Sequence, residues 1–206
     1  MPNDFKILYQ KVGLGETVQI NMDIARLNTH SKIDVPIIVS RGKVDGPCLL
    51  LIGGIHGDET NGVEIVRQII SSGLNKPKKG TIICIPLLNV FGFLNQKREF
   101  PDGRDLNRMF PGSVTGSLAS RFAYHLMSKV IPKVDYCIDY HTGGAQRFNF
   151  SQIRIDANDE EILKLAKVFG SPYIVYSKSK EKTFRKAMVD LGKKVLLFEG
   201  GKSLSL

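Results

Sequence analysis

Short runs of apolar residues alternate along the chain with stretches in which apolar residues recur at helical spacing. Continuous runs at Cys48–Gly53, Thr81–Leu88 and Val134–Tyr140 are typical of strands that are buried on both faces. Between these runs, the spacing predicts amphipathic helices from about Glu59 to Ser71 and over Ser117–Val130. Strands that alternate with helices predict an α/β domain with a mostly parallel sheet that is flanked by helices.

The pattern differs at the two ends of the chain. Residues 1–45 contain two segments rich in β-branched residues, Thr17–Ile24 and Ile33–Val39, which predict a β-rich N-terminal part. The last third continues the alternation. The elements predicted there are strands at Phe148–Ile155, Tyr173–Tyr176 and Lys194–Phe198, and helices at Asp159–Phe169 and Thr183–Leu191. We therefore predict a single domain over residues 1–206.

The composition is that of an ordinary globular protein, with 42% hydrophobic and 24% charged residues. No stretch approaches the roughly 20 apolar residues that a membrane-spanning helix needs. The segment Met1–Asp4 has neither the basic nor the apolar part of a secretory signal, so we expect a cytoplasmic location. The three cysteines, Cys48, Cys84 and Cys137, lie in apolar runs, which predicts buried reduced thiols.

The chain carries 29 Lys and Arg against 20 Asp and Glu, a net charge of +9. This excess favours anionic partners and leaves a basic nucleic-acid-binding protein without catalysis as one alternative. Against this alternative, aromatic residues make up only 8% of the chain and no standard nucleic-acid-binding motif is present. The basic residues near the C-terminus, which we interpret as a solvated helix face, are Lys178, Lys180, Lys182, Arg185, Lys186, Lys193 and Lys194.

Polar residues that carry chemistry follow the apolar strands. His56 and Glu59 come after the first run, His141 follows Val134–Tyr140, and Glu199 follows the last predicted strand. In parallel sheets, ligands bind beyond the carboxyl ends of the strands, so we expect these side chains to converge. Alone, the His-x-x-Glu spacing also fits a polar turn at the surface. Together with His141, it predicts a catalytic zinc site with one open position.

Two further features extend this picture. Asp139 lies two residues before His141 and so on the same side of the strand, where it could hold the second nitrogen of that imidazole. The segment Asn89–Gly112 has no clean period and contains Arg98, Arg104 and Arg108. Long irregular segments inside domains are usually functional or disordered. These arginines therefore fit either carboxylate binding or a solvated loop.

Four segments together resemble a known family. They are Gly53–Glu59, Gly103–Gly112, Asp139–Gly143 and Phe198–Gly201, and they resemble the succinylglutamate desuccinylase/aspartoacylase family in content and order. That family belongs to the wider zinc carboxypeptidase-like group. The resemblance covers the chain from about Cys48 to Gly201 and implies the α/β fold of that group.

The resemblance also implies roles for individual residues. It implies one zinc ion held by His56, Glu59 and His141, with Glu199 as the general base and acid. The asparagine and arginine of the Asp-Leu-Asn-Arg motif, here at 105–108, hold a substrate carboxylate in this family.

In this sequence, the asparagine and arginine of that motif are Asn107 and Arg108. In the family, an arginine upstream of the motif polarises the scissile carbonyl. Arg98 is the best match in position, and Arg104 is its competitor and a further candidate for substrate binding.

The activity that follows is zinc-dependent hydrolysis of an amide bond other than a peptide bond. The substrate would be a small carboxylate-bearing molecule such as an N-acyl amino acid, attacked by zinc-bound water with the help of Glu199. A zinc carboxypeptidase that acts on peptides is the alternative within the same class.

Family members commonly continue past the glutamate motif with a β-rich region, whereas this chain ends at Leu206. We expect either a catalytic-domain fragment or a short variant. The substrate entrance would then be more open or completed by another subunit, which leaves a homo-oligomer as an alternative.

Overall fold

The fold is a layered α/β structure. A computed structural model describes residues 5–26, 30, 32–156 and 159–205, so the segment Met1–Asp4 and the terminal Leu206 lie outside the described residues. The strands are β1 (Phe5–Ile7), β2 (Gln10–Val12), β3 (Thr17–Arg26), β4 (Lys32–Arg41), β5 (Val44–Gly53), β6 (Lys79–Ile85), β7 (Tyr136–Gly143), β8 (Asn149–Ile155), β9 (Tyr173–Tyr176) and β10 (Lys194–Lys202). The helices are α1 (Thr60–Ser71), α2 (Val90–Leu94), α3 (Leu118–Lys129), α4 (Glu160–Phe169) and α5 (Phe184–Asp190), with 3₁₀ turns at Leu106–Arg108 and Ile131–Lys133.

Eight strands form one twisted mixed sheet in the order β3-β4-β6-β5-β7-β10-β8-β9. The central strands β6, β5, β7 and β10 are parallel to one another, as are β8 and β9. The pairs β3–β4, β4–β6 and β10–β8 are antiparallel. The prediction of a mostly parallel mixed sheet flanked by helices is confirmed, and β3 and β4 of the β-rich N-terminal part extend the same sheet.

Both faces of the central strands are covered. On one face, Leu50 and Ile52 of β5 pack in the same apolar cluster as Phe122 of α3 and Phe184 of α5. On the other face, Leu51 packs with residues of α1. Alternate residues of one strand thus enter different cores, which explains why the strand has an unbroken apolar sequence.

Helix boundaries follow from local capping. The side chains of Ser117, Asp159 and Thr183 accept hydrogen bonds from backbone amides in the first turns of α3, α4 and α5. Gly170 ends α4 in the left-handed region. The observed ends of α3, α4 and α5 therefore lie within one residue of the predicted ends.

The strand ends differ more from prediction. The last strand, predicted to end at Phe198, continues through Lys202, so Glu199 lies within β10 rather than beyond it. His141 likewise lies within β7.

The three cysteines are buried and unpaired as predicted, and burial raises the pKa of the Cys84 thiol to about 12. In the part of the chain that the structure describes, every helix is too short or too polar to cross a membrane.

Candidate active site

The turn after β5 carries the first two metal-ligand candidates. Gly54, at φ +62°, lets the chain leave the strand sharply before His56. Gly57 packs so closely on the α2 segment that a Cβ would lie 2.0 Å from the backbone carbon of Gly92. The turn therefore packs directly against α2, and the side chains of His56 and Glu59 are almost completely buried.

Glu59 is the centre of a compact polar cluster. Its Oε1 lies 2.7 Å from Nδ1 of His56, and its Oε2 lies 2.8 Å from Nδ1 of His141. The backbone N–H of Thr142 also donates to Oε2, at 3.1 Å. The candidate ligand atoms of the two imidazoles and the carboxylate all lie within 4.8 Å of one another. The structure thus brings His141 to His56 and Glu59, although His141 is 82 positions from Glu59 in the sequence.

The outer nitrogens of both imidazoles meet aspartates. Nε2 of His141 lies 2.8 Å from Oδ2 of Asp139, which is the contact predicted from the sequence. Nε2 of His56 lies 3.2 Å from Oδ1 of Asp105. Each ring therefore turns its Nδ1 toward Glu59. A carboxylate behind each ligand histidine is typical of zinc sites, and a His₂Glu set leaves one position open, so these side chains fit a catalytic zinc ion.

Charge compensation within the cluster agrees with a cation site. Burial disfavours the charged form of Glu59, but His56 and His141 outweigh it and hold the pKa of this carboxyl well below its usual range. Burial also lowers the pKa of His141, but Asp139 and Glu59 outweigh burial and raise it well above its ordinary value. The buried carboxylates of Glu59 and Asp139 thus need positive charge nearby. Protons on the two imidazoles or a bound metal ion can supply this charge.

Of the two competing arginines, only Arg98 lies at the cluster. Its Nη1 donates to Oε1 of Glu59 at 3.2 Å, and its Nη2 donates to Oδ2 of Asp105 at 3.0 Å. Arg104 instead pairs with Asp102 at 2.7 Å, with about half of its side chain exposed. The structure therefore places Arg98, and not Arg104, next to the metal-ligand candidates.

A cavity of about 560 Å³ opens over the cluster. Among the described residues that line it, basic side chains outnumber the two carboxylates of Glu59 and Glu199. The basic side chains are Arg98, Arg108, Arg147, Arg154, Lys178, Lys180 and Arg185. The cavity is therefore strongly cationic and suits an anionic ligand.

Asn107 and Arg108 line this cavity from the 3₁₀ turn. The turn is held by Asp105, whose Oδ1 accepts the backbone N–H of Asn107 at 2.7 Å. The side-chain oxygen of Asn107 accepts the backbone N–H of Phe184 at 2.8 Å. Because the amide oxygen is occupied, the amide NH₂ is the group that Asn107 can offer to a ligand. The structure thus places both predicted carboxylate-binding residues on one wall.

Glu199 lies in register with His141 on the adjacent parallel strand, so both side chains occupy the same face. Its Oε2 accepts a hydrogen bond from Nδ2 of Asn149 at 2.8 Å. Nη1 of Arg154 lies 3.5 Å from its Oε1. Burial raises the pKa of Glu199 above its ordinary value, against the opposing charges of His141 and Arg154.

The prediction of a solvated basic helix face near the C-terminus is wrong for part of that cluster. Lys178 and Lys180 are exposed as predicted, but they lie in the loop between β9 and α5 rather than on a helix, and they line the cavity. Arg185 also lines it and is only 6% exposed. Its guanidinium donates to the backbone oxygen of Ser177 at 2.8 Å. Lys186, by contrast, pairs with carboxylates at the surface. The loop after β9 thus forms part of the cavity wall, which helical periodicity does not reveal.

Sequence reasoning thus missed several residues at the site. Asp105 had a signal, because it is part of the Asp-Leu-Asn-Arg motif. Asn149, Arg154 and Arg185 had none that separates them from ordinary polar positions, since only tertiary contacts bring them to the cavity.

The chain is similar to known proteins over most of its length. A model of the succinylglutamate desuccinylase/aspartoacylase catalytic domain matches residues 45–206. The N-alpha-acetyl-L-2,4-diaminobutyric acid deacetylase of Halomonas elongata is 34% identical over 148 residues, which is 68% of this chain. The chain spans 43% of the length of that relative.

Solved structures show the same similarity. A succinylglutamate desuccinylase/aspartoacylase from Rhodobacter sphaeroides has 27% identity and a TM-score of 0.79, covering 90% of this chain and 57% of that protein. An aspartoacylase family protein from Mesorhizobium loti has 25% identity and a TM-score of 0.78, covering 91% of this chain and 62% of that protein.

Proposed function

The chain belongs to the succinylglutamate desuccinylase/aspartoacylase family, and from this premise we propose that it is a zinc-dependent hydrolase that cleaves the amide bond of small N-acyl amino acids. The observation that carries the proposal is the meeting of His56, Glu59 and His141 with Glu199 on one wall of a cationic cavity. A buried His₂Glu set beside a further carboxylate is an arrangement with which zinc hydrolases activate water for amide hydrolysis.

A zinc ion held by His56, Glu59 and His141 would act as a Lewis acid toward the scissile carbonyl and toward water. The chain's own residues supply the rest of the chemistry. Glu199 takes a proton from the attacking water and returns it to the leaving amine. Its raised pKa favours this double role, because a carboxyl group that titrates closer to neutral pH can both accept and donate a proton.

Arg98 would stabilise the negative charge that develops on the carbonyl oxygen. It is held for this task by Asp105, which accepts from its Nε at 3.2 Å and from its Nη2 at 3.0 Å. Two bonds to one carboxylate oxygen fix the plane of the guanidinium. Asn107 and Arg108 would bind the α-carboxylate of the amino acid.

The distribution of basic residues gives the nucleic-acid alternative no support. Arg185 is buried at the cavity, Lys178 and Lys180 lie at the exposed rim of the same cavity, and Lys194 pairs with Asp159 at 2.8 Å. Nucleic-acid binding needs cations spread over an accessible surface. A small anionic substrate accounts for the observed placement.

We therefore expect the zinc-loaded protein to prefer N-acyl amino acids that carry a second carboxylate. The value of kcat/KM for N-acetyl-L-glutamate should exceed that for N-alpha-acetyl-L-2,4-diaminobutyrate by about 10-fold or more, because the ammonium group of the second compound would be repelled by the excess of basic side chains around the cavity. Release of the free amine can be followed for both compounds and for a short peptide. No hydrolysis with zinc present would refute the proposed function, and a preference for the peptide would favour the carboxypeptidase alternative.

Arg185 is the residue that we expect to contribute most to this charge preference. Its buried guanidinium bonds to oxygens of Ser177 rather than to a carboxylate, and burial lowers its pKa. Arg185→Gln should raise KM for N-acetyl-L-glutamate by about 10- to 100-fold, as expected for a lost charged hydrogen bond. KM for N-acetylglycine should change by less than about threefold.

Lys186→Gln is the matched control, because Lys186 lies next to Arg185 in α5 but pairs with Asp190 outside the cavity. It should leave both KM values unchanged. Equal losses for both substrates in Arg185→Gln would contradict a role in charge selection and point to a folding defect, which thermal unfolding would detect.

A further inference from the structure

The pairing between β10 and β8 changes register directly after Glu199. Glu199 pairs with Gln152, but Gly201 pairs with Asn149, so β8 contains one residue more than β10 between these pairs. The pairing between β10 and β7 also shifts after Glu199. Such β-bulges occur next to active sites, where they re-aim side chains.

The extra residue decides where the side chain of Asn149 lies. In a regular ladder, residues opposite each other share a face and successive residues alternate, so Gln152 lies on the side of Glu199. Asn149 is three positions from Gln152 and would lie on the opposite side if the ladder were regular. With the bulge, its Nδ2 donates to Oε2 of Glu199 at 2.8 Å.

The surroundings keep Asn149 in this position. A Cβ on Gly143 of β7 would lie 2.0 Å from the backbone oxygen of Arg147 and 3.3 Å from the Cγ of Asn149, so the glycine lets the segment that leads into β8 pack closely on β7. Asn149 is half-buried and lines the cavity beside Glu199. Partial burial and the hydrogen bond to Glu199 together restrict the orientation of this amide.

The chemistry of the contact is specific. An amide NH₂ donates to a carboxylate without being able to protonate it at neutral pH. Oε2 already accepts the hydrogen bond from Asn149, whereas no described residue donates a hydrogen bond to Oε1, so Oε1 is the freer oxygen to receive a proton from water. The closest cation to Oε1 is Nη1 of Arg154, and its distance of 3.5 Å is long for a strong hydrogen bond.

We propose that Asn149 is a positioning residue that holds the Glu199 carboxylate in one orientation, with Oε1 available to the attacking water. This inference rests on the proposed function for its catalytic meaning. The contact itself is a property of the fold and can be tested separately.

The kinetic test compares variants at position 149 under saturating zinc. Asn149→Ala should lower kcat by about 10- to 100-fold, the effect of losing one hydrogen bond to a charged group, while KM stays within about twofold. Asn149→Asp should lose more, because a second carboxylate would face Glu199. In a Glu199→Gln background, Asn149→Ala should cause no further loss, because the two residues act as a unit.

Asn21→Ala is the matched control, since Asn21 is an exposed strand residue of β3, at the far edge of the sheet. It should leave kcat and KM unchanged. If Asn149→Ala keeps kcat within about twofold of the wild type, the positioning role is wrong even though the hydrolase activity stands.

A crystal structure of the Asn149→Ala protein gives an outcome that does not depend on activity. We expect the Glu199 carboxylate to rotate away or to occupy more than one orientation. A single, unmoved carboxylate would overturn the inference. If the wild type hydrolyses no N-acyl amino acid, the proposed function fails, and the position of Glu199 in this crystal structure still decides whether Asn149 holds it.

Discussion

Replacing Glu199 with glutamine is expected to lower kcat by about 10³-fold while KM for the N-acyl amino acid stays within about threefold. Glutamine has nearly the same shape and can still bond to Asn149, so the wall of the cavity should persist. It cannot accept the proton of the attacking water. Because proton transfer occurs on the way to the transition state and not on binding, the loss should fall on kcat. Steady-state kinetics measure kcat and KM, and mass spectrometry of the purified variant shows whether it still contains zinc.

The control for this experiment is Glu160→Gln, which changes an exposed carboxylate in the first turn of α4. It should retain wild-type kinetics. Should Glu199→Gln keep more than about a tenth of the wild-type kcat with full zinc content, Glu199 is not the general base. A loss of zinc in that variant would instead mean that Glu199 belongs to the metal set.

Replacing His141 with alanine is expected to reduce bound zinc from one equivalent to a small fraction at micromolar protein and to lower kcat/KM by more than about 10³-fold. The ring of His141 lies between Glu59 and Asp139, both within 2.8 Å. Its removal deletes one of three ligands and leaves two buried carboxylates without their shared cation. The second effect should destabilise the metal-free fold by about 3–5 kcal/mol, which urea unfolding measures.

Two comparisons make this result specific. His125→Ala removes a partly buried imidazole of α3 that lies outside the cavity, and it should keep zinc and activity. Asp139→Asn keeps the His141 ligand but weakens its support, so zinc affinity should fall by about 10- to 100-fold rather than vanish. Full zinc occupancy in His141→Ala would show that the metal is held elsewhere.

The sequence alone predicted the main architecture and the residues that meet in the candidate metal cluster. Buried parallel strands such as Cys48–Gly53 produce unbroken apolar runs, and α1 and α3 produce helical stripes, because periodicity is set by local geometry. His56 and Glu59 are neighbours in one turn, so their pairing is also a local property. His141 and Glu199 could be added because polar residues at the carboxyl ends of parallel strands share an edge.

Tertiary structure alone decided which of several chemically equivalent side chains reach the site. Arg98 and Arg104 have the same guanidinium six positions apart, but only the fold of the 89–112 segment brings Arg98 to Glu59. Arg185 and Lys186 are adjacent in sequence, and the packing of α5 buries Arg185 at the cavity and turns Lys186 toward the carboxylate of Asp190. Asn149 reaches Glu199 only because the register of β8 slips by one residue. Register, helix rotation and loop path depend on long-range packing, which local sequence patterns do not encode.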